Sequence, residues 1–131
     1  MEFALQLLPL LFLFGLVAAL VRVSGHVLAR TKIEWGHCLK YAAIAVLLLL
    51  PLRLITAQMG SGGVWFGALL AVAVHAAVGA FYLGPRVLTS NGSRLGPITG
   101  AKVACGAAFL AIGSAILLVF ALRALRAILQ Q

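Results

Sequence analysis

Four stretches of this chain are apolar for about twenty residues at a time, and most of its charges fall between them or at their ends. They run from about Phe3 to Val21, Leu39 to Gln58, Val64 to Leu83 and Ala101 to Leu122. A helix needs about 20 residues, at about 1.5 Å each, to cross the roughly 30 Å hydrocarbon layer of a bilayer. Backbone groups in that layer find no water, so each stretch is expected to be a helix that satisfies its own N–H and C=O groups. The expectation is an all-α polytopic membrane protein, a single integral membrane domain over residues 1–131 built as a four-transmembrane-helix bundle.

Composition points the same way. Of 131 residues, 64% are hydrophobic and only 9% charged, against roughly 45–50% apolar usage in soluble domains. Ten Lys and Arg stand against Glu2 and Glu34, a formal charge of +8. In a soluble chain that excess would suggest nucleic acid. Here the cations flank apolar blocks, where they set orientation and meet anionic head groups, so the lipid bilayer is the expected partner and nucleic acid is not. The opening "MEFALQ" lacks the basic start of a cleaved signal, and its apolar stretch outruns a usual signal core, so the first span is expected to be permanent.

The two long connections carry Arg22, Arg30, Lys32, Lys40, Arg86, Arg94 and Lys102, while Arg53, Arg123 and Arg126 fall on the other side. Seven against three places both long loops in the cytoplasm and both termini outside, and loops this compact suit a bacterial inner membrane. Gly60 to Gly63 ("GSGG") is expected to turn the second and third spans into a hairpin, and Gly84-Pro85 to open a loop that contains Asn91-Gly92. The first helix can run past Arg22, with Val23, Val27 and Leu28 on one side, before the connection lies in the interface.

Pro51 and Arg53 interrupt the run "LLLLPLRLIT". A helix from Leu39 that stopped at Leu50 would span only about 18 Å, too short to cross, so it is expected to continue to Gln58 with a bend at Pro51. Arg53 then lies about 7–8 Å below the surface, within reach of a snorkelling guanidinium. His75 is the other intramembrane polar candidate. It shares one helical face with Gly67, Ala71 and Gly79, where small side chains let a neighbouring helix close in and a histidine can hydrogen-bond across the contact. The fourth span is equally rich in small residues, Gly106 and Gly113 among them, and is expected to sit inside the bundle or against another protein.

Cys38 and Cys105 are too few for a disulfide framework. With His26 and His37 they match no metal-binding spacing, so neither metal nor cofactor is expected. Trp35, Tyr41 and Trp65 read as interfacial aromatics. No span holds a carboxylate, no nucleotide-binding glycine loop is present, and no nucleophile has an evident base, so an enzyme is not expected. Two functions remain. One is a non-catalytic small subunit or assembly factor of a larger membrane complex, with other membrane subunits or its own copies as partners. The alternative is a small oligomeric transporter or channel for anionic or neutral cargo, with His75 and Arg53 as the residues to test. Arg30, Lys32, Lys40, Arg86, Arg94 and Lys102 are the candidates for head-group or partner contact.

Single cysteines replacing Lys32 and Ser93, in a Cys38→Ala, Cys105→Ala background, should react with a membrane-impermeant maleimide from one side of the membrane only. A cysteine at Ser61 should react from the other side. Labelling of Lys32→Cys and Ser93→Cys from opposite sides would overturn the four-span topology.

Overall fold

The computed structural model describes residues 2–130, with side chains from Leu7 onward. Helix α1 spans Glu2–Leu28, α2 Trp35–Ala57, α3 Ser61–Arg86 and α4 Pro97–Leu129. All four are long and apolar enough to cross a membrane. The expected all-α four-helix bundle is therefore present, with helices that overrun the apolar blocks. The helices alternate in direction, and each packs on two others in the order α1, α2, α3, α4 and back to α1. Among the described residues the backbones of the diagonal pairs, α1 with α3 and α2 with α4, stay more than 8 Å apart between Cα atoms.

Local chemistry explains where the helices end. Helix α1 does continue past Arg22, as far as Leu28, and there the N–H groups of Ala29 and Thr31 both bond the Gly25 carbonyl. Between them Arg30 adopts a left-handed conformation, φ 49°, which costs a non-glycine residue roughly 1–2 kcal/mol. Only residues 29–34 separate α1 from α2, so the first connection is a short strap. Helix α2 runs through Pro51 to Ala57 without a break, as its crossing length requires.

Two turn expectations are corrected. The α2–α3 turn is made by Gln58, Met59 and Gly60, with Gly60 at φ 65°, and Ser61 to Gly63 already belong to α3. Gly63 is needed inside the helix because a Cβ there would collide with the Thr56 carbonyl. Gly84-Pro85 likewise does not open the loop, since the helix persists to Arg86. It does so by widening into a π turn over Gly79–Leu83. Pro85 has no N–H to give the Phe81 carbonyl, and its ring would strike that oxygen in a regular α-helix. The wider turn relieves the clash, and Arg86 Nη1 donates to the freed Phe81 carbonyl at 3.4 Å. Asn91-Gly92 does mark a turn: the Gly92 N–H bonds the Thr89 carbonyl at 2.9 Å, and Leu88 pairs with Arg94 in one antiparallel bridge.

The π turn also sets the closest packing in the molecule. In an α-helix residues five apart point about 140° away from each other. In a π turn the Gly84 N–H bonds the Gly79 carbonyl, which stacks the two glycines on one side. Both then face Gly96 and Gly100 at the start of α4. A Cβ at Gly79 would strike the Gly100 carbonyl and Ala104, one at Gly100 would strike the Gly79 carbonyl, and one at Gly84 would lie 2.8 Å from the Gly96 oxygen. The Gly96 N–H bonds the Gly84 carbonyl across the crossing at 3.0 Å.

Most buried side chains lie at this end. Ala18 and Val21 of α1, Cys38, Tyr41, Ala42 and Ala45 of α2, Val78 and Leu83 of α3, and Val103, Ala104 and Ala107 of α4 form a continuous core. Ile33 from the first connection and Val87 and Leu95 from the second close it. Toward the other end α1 and α4 lose cover: Leu8, Leu11 and Phe12 of α1 and nearly all of α4 after Ala108 are exposed. That apolar exterior suits lipid rather than water.

Replacing Gly100 with Ala should lower the melting temperature in mild detergent by an amount equivalent to about 1–3 kcal/mol, the usual cost of forcing a methyl into a filled contact. Gly113→Ala, whose Cβ would meet nothing within 4 Å, should cost nothing. Equal effects at the two positions would refute the crossing as the tight contact.

Candidate functional site

Two i, i+4 patterns meet in the closed end of the bundle. On α2, Cys38, Tyr41, Ala42 and Ala45 recur at the spacing of one helical face, and all four are buried. On α3, His75 faces them. The Tyr41 hydroxyl lies 2.6 Å from His75 Nδ1 and 3.5 Å from the His75 carbonyl oxygen. Tyr41 donates to Nδ1 in the tautomer that carries its proton on Nε2. The rings are 5.9 Å apart, tilted by 31°. Tyr41 is therefore a core residue, not the interfacial aromatic expected from its place beside a span boundary. The Cys38-Tyr41-Ala42-Ala45 spacing was the signal that would have identified it.

His75 thus hydrogen-bonds across a helix contact, as its neighbours in sequence implied, but the small-residue face around it divides. Residues four apart drift by about 40° around a helix, so the stripe turns as it climbs. Gly67 packs on Thr56 of α2, while Gly79 packs on Gly100 and Ala104 of α4. Ala71 lies between, lining a groove on the α2 side that also includes Leu49, Arg53 and Thr56. On α4, Gly106 fits against Ser24 and Leu28 of α1, and the Ser24 hydroxyl donates to the Val103 carbonyl at 2.6 Å. Gly113 packs on nothing, so the packing face expected of α4 is realised only over its first third.

Arg53 is exposed, at the edge of that α2–α3 groove and one turn from the hairpin. It is remote from the Tyr41–His75 pair, and the two intramembrane polar candidates do not form one site. Thr56, three residues on, turns its hydroxyl inward to the Leu52 carbonyl at 3.0 Å.

The six cations expected to meet head groups or partners, Arg30, Lys32, Lys40, Arg86, Arg94 and Lys102, are all exposed around the closed end. Two cations there are braced by aromatic rings: Arg22 lies 4.7 Å over Trp35, and Arg86 4.9 Å over Tyr82. Tyr82 in turn stands 6.3 Å from the His37 ring, whose buried Nδ1 has no partner among the described residues. Cys38 and Cys105 are free thiols, and among the described residues no three His, Cys, Asp or Glu side chains converge as metal ligands.

No known family, curated protein or solved structure matches this chain.

Tyr41→Phe should destabilise the protein by about 1 kcal/mol, the scale of a side-chain hydrogen bond between membrane helices. In a double-mutant cycle with His75→Leu the combined loss should be smaller than the sum of the single losses, because each change removes the same bond. Strict additivity would show that the pair is not coupled.

Proposed function

We propose that this chain is a non-catalytic small subunit of a membrane complex, which presents the uncovered half of α4 to another membrane protein. The observation that carries the reading is the end of burial in α4 at Ala108. The next 21 residues, Phe109 to Leu129, extend the helix by about 30 Å, with only Ala111 partly covered. Helices that pack in membranes do so through small residues and interhelical contact, and Gly113, Ser114 and Ala115 lie in this uncovered stretch. Arg123 and Arg126 follow on the same helix, and the chain's only carboxylates are Glu2 and Glu34. The partner that fits is an apolar membrane helix with a carboxylate near its end, placed opposite those two arginines.

The transporter alternative draws less support. His75 is held by Tyr41 inside the closed end, and Arg53 lies exposed about 18 Å of helix from Tyr41, in the groove beside Thr56. Neither the pairing nor the exposure supplies a polar path across the bundle. In the proposed setting, a bacterial inner membrane, both connections face the cytoplasm, as the excess of Lys and Arg in them favours.

The test is extraction in mild detergent and native mass measurement, with a photo-crosslinking residue at Leu118 or Leu125 and a control at Leu8. A stoichiometric membrane protein that crosslinks to the α4 positions, and is lost from Arg123→Glu, Arg126→Glu protein, is the expected outcome. A lone monomer would overturn the reading, and a bare dimer would replace it with the oligomeric alternative.

A further inference from the structure

Two hollows meet on the outer wall of the bundle at its closed end. The larger, about 530 Å³, is a groove between α1 and α4, with Gly106 and Gly113 on its floor and Val27, Leu28, Phe109 and Leu117 among its walls. The smaller, about 270 Å³, is lined by Arg22, Val23, His26 and Lys32. Val23 lines both, so the hollows are neighbours on α1. We propose that they form one binding site for an anionic phospholipid of the leaflet on the connection side, with its phosphate on Arg22, His26 and Lys32 and an acyl chain in the groove.

Length, polarity and charge all select this ligand. From Gly106 to Leu117 the groove follows eleven residues of helix, about 16 Å, close to half of the roughly 30 Å hydrocarbon core and so to one leaflet. Its walls are almost wholly apolar, since the Ser24 and Ser114 hydroxyls are engaged with the carbonyls of Val103 and Leu110. The absence of a side chain at Gly113 leaves room where any Cβ would meet nothing within 4 Å.

The head of the site is charged and held in place. The Arg22 guanidinium rests on the Trp35 ring at 4.7 Å, which draws it up from the span toward the connection, where a phosphate lies. Lys32 sits in the strap between α1 and α2, and His26 is exposed one turn above Arg22. The two cations, Arg22 held by Trp35 and Lys32 exposed in the strap, attract a phosphate and repel a choline ammonium, so the site separates anionic lipids from zwitterionic ones. The groove distinguishes a lipid from free phosphate, which has no chain to fill it. The groove takes up Phe109, Gly113, Ser114 and Leu117 at the start of the uncovered stretch of α4, so lipid and protein partner compete for that part of the helix, while Leu118 to Leu129 is left to the partner alone.

Native mass spectrometry of the intact protein, titrated with phosphatidylglycerol or with phosphatidylcholine of identical chains, tests this. Phosphatidylglycerol should give a one-to-one adduct about tenfold more persistent than phosphatidylcholine. Lys32→Glu, at an exposed position that leaves the fold intact, and Arg22→Ala, Lys32→Ala should each remove most of that preference. Gly113→Leu should weaken retention of both lipids by filling the slot. Arg94→Ala, on the other connection, should change nothing, and glycerol phosphate without chains should not compete. Equal retention of the two lipids, insensitivity to Lys32→Glu and Gly113→Leu, an equal loss from Arg94→Ala, or displacement by glycerol phosphate would each overturn the proposal.

Discussion

The α3–α4 crossing governs the rest of the bundle. Gly79 and Gly84 lie on Gly96 and Gly100 so closely that a methyl group on Gly79, Gly84 or Gly100 would meet backbone of the opposite segment. At that distance the helices interact through main-chain atoms and close dispersion contacts, which bind membrane helices where no hydrophobic gain separates protein from lipid. The crossing brings α4 into the position from which Val103 receives the Ser24 hydroxyl and Gly106 accepts the α1 side chains. It also fixes the end of α3 so that the second connection folds back with Val87 and Leu95 in the core. The π turn is what makes it geometrically possible, and Pro85 is the covalent reason for the π turn.

Closure at one end has a consequence at the other. Away from the closed end α2 and α3 stay together, with Gly63 and Gly67 on Thr56, but no comparable glycine contact joins α1 to α4 beyond Gly106. The bundle therefore has a packed end, which holds the Tyr41–His75 pair and the Ser24–Val103 bond, and an end where most side chains of α1 and α4 are exposed and apolar. The buried hydroxyls of Tyr41 and Ser24 belong at the packed end, where each finds a partner. The other end offers lipids and other helices a long apolar surface with few polar atoms.

Much of this was legible in the chain. The four blocks were long enough to require four crossings, and the absence of water in the bilayer required that they be helices. The run from Leu39 to Gln58 had to pass through Pro51, because a shorter helix would not cross, and α2 does pass through it. The Cys38-Tyr41-Ala42-Ala45 face was also readable by its spacing, although proximity to the span boundary suggested a ring at the interface. Two features were not readable. A helix that widens into a π turn before a proline has the same residues as one that ends there, and Gly84-Pro85 reads most simply as an end. A glycine on a helical stripe gives no sign of which neighbour it meets: Gly67 meets α2, Gly79 meets α4, and Gly113 meets nothing.

The amino-acid sequence alone determined the number of crossings, their helical state and the gathering of cations at one end, because these follow from the cost of bare peptide groups and charges in hydrocarbon and need no knowledge of neighbours. Only the tertiary structure decided which small residues touch, that Tyr41 and His75 share a bond, and where the bundle opens. Those are relations between segments distant along the chain, set by helix rotation and a single widened turn.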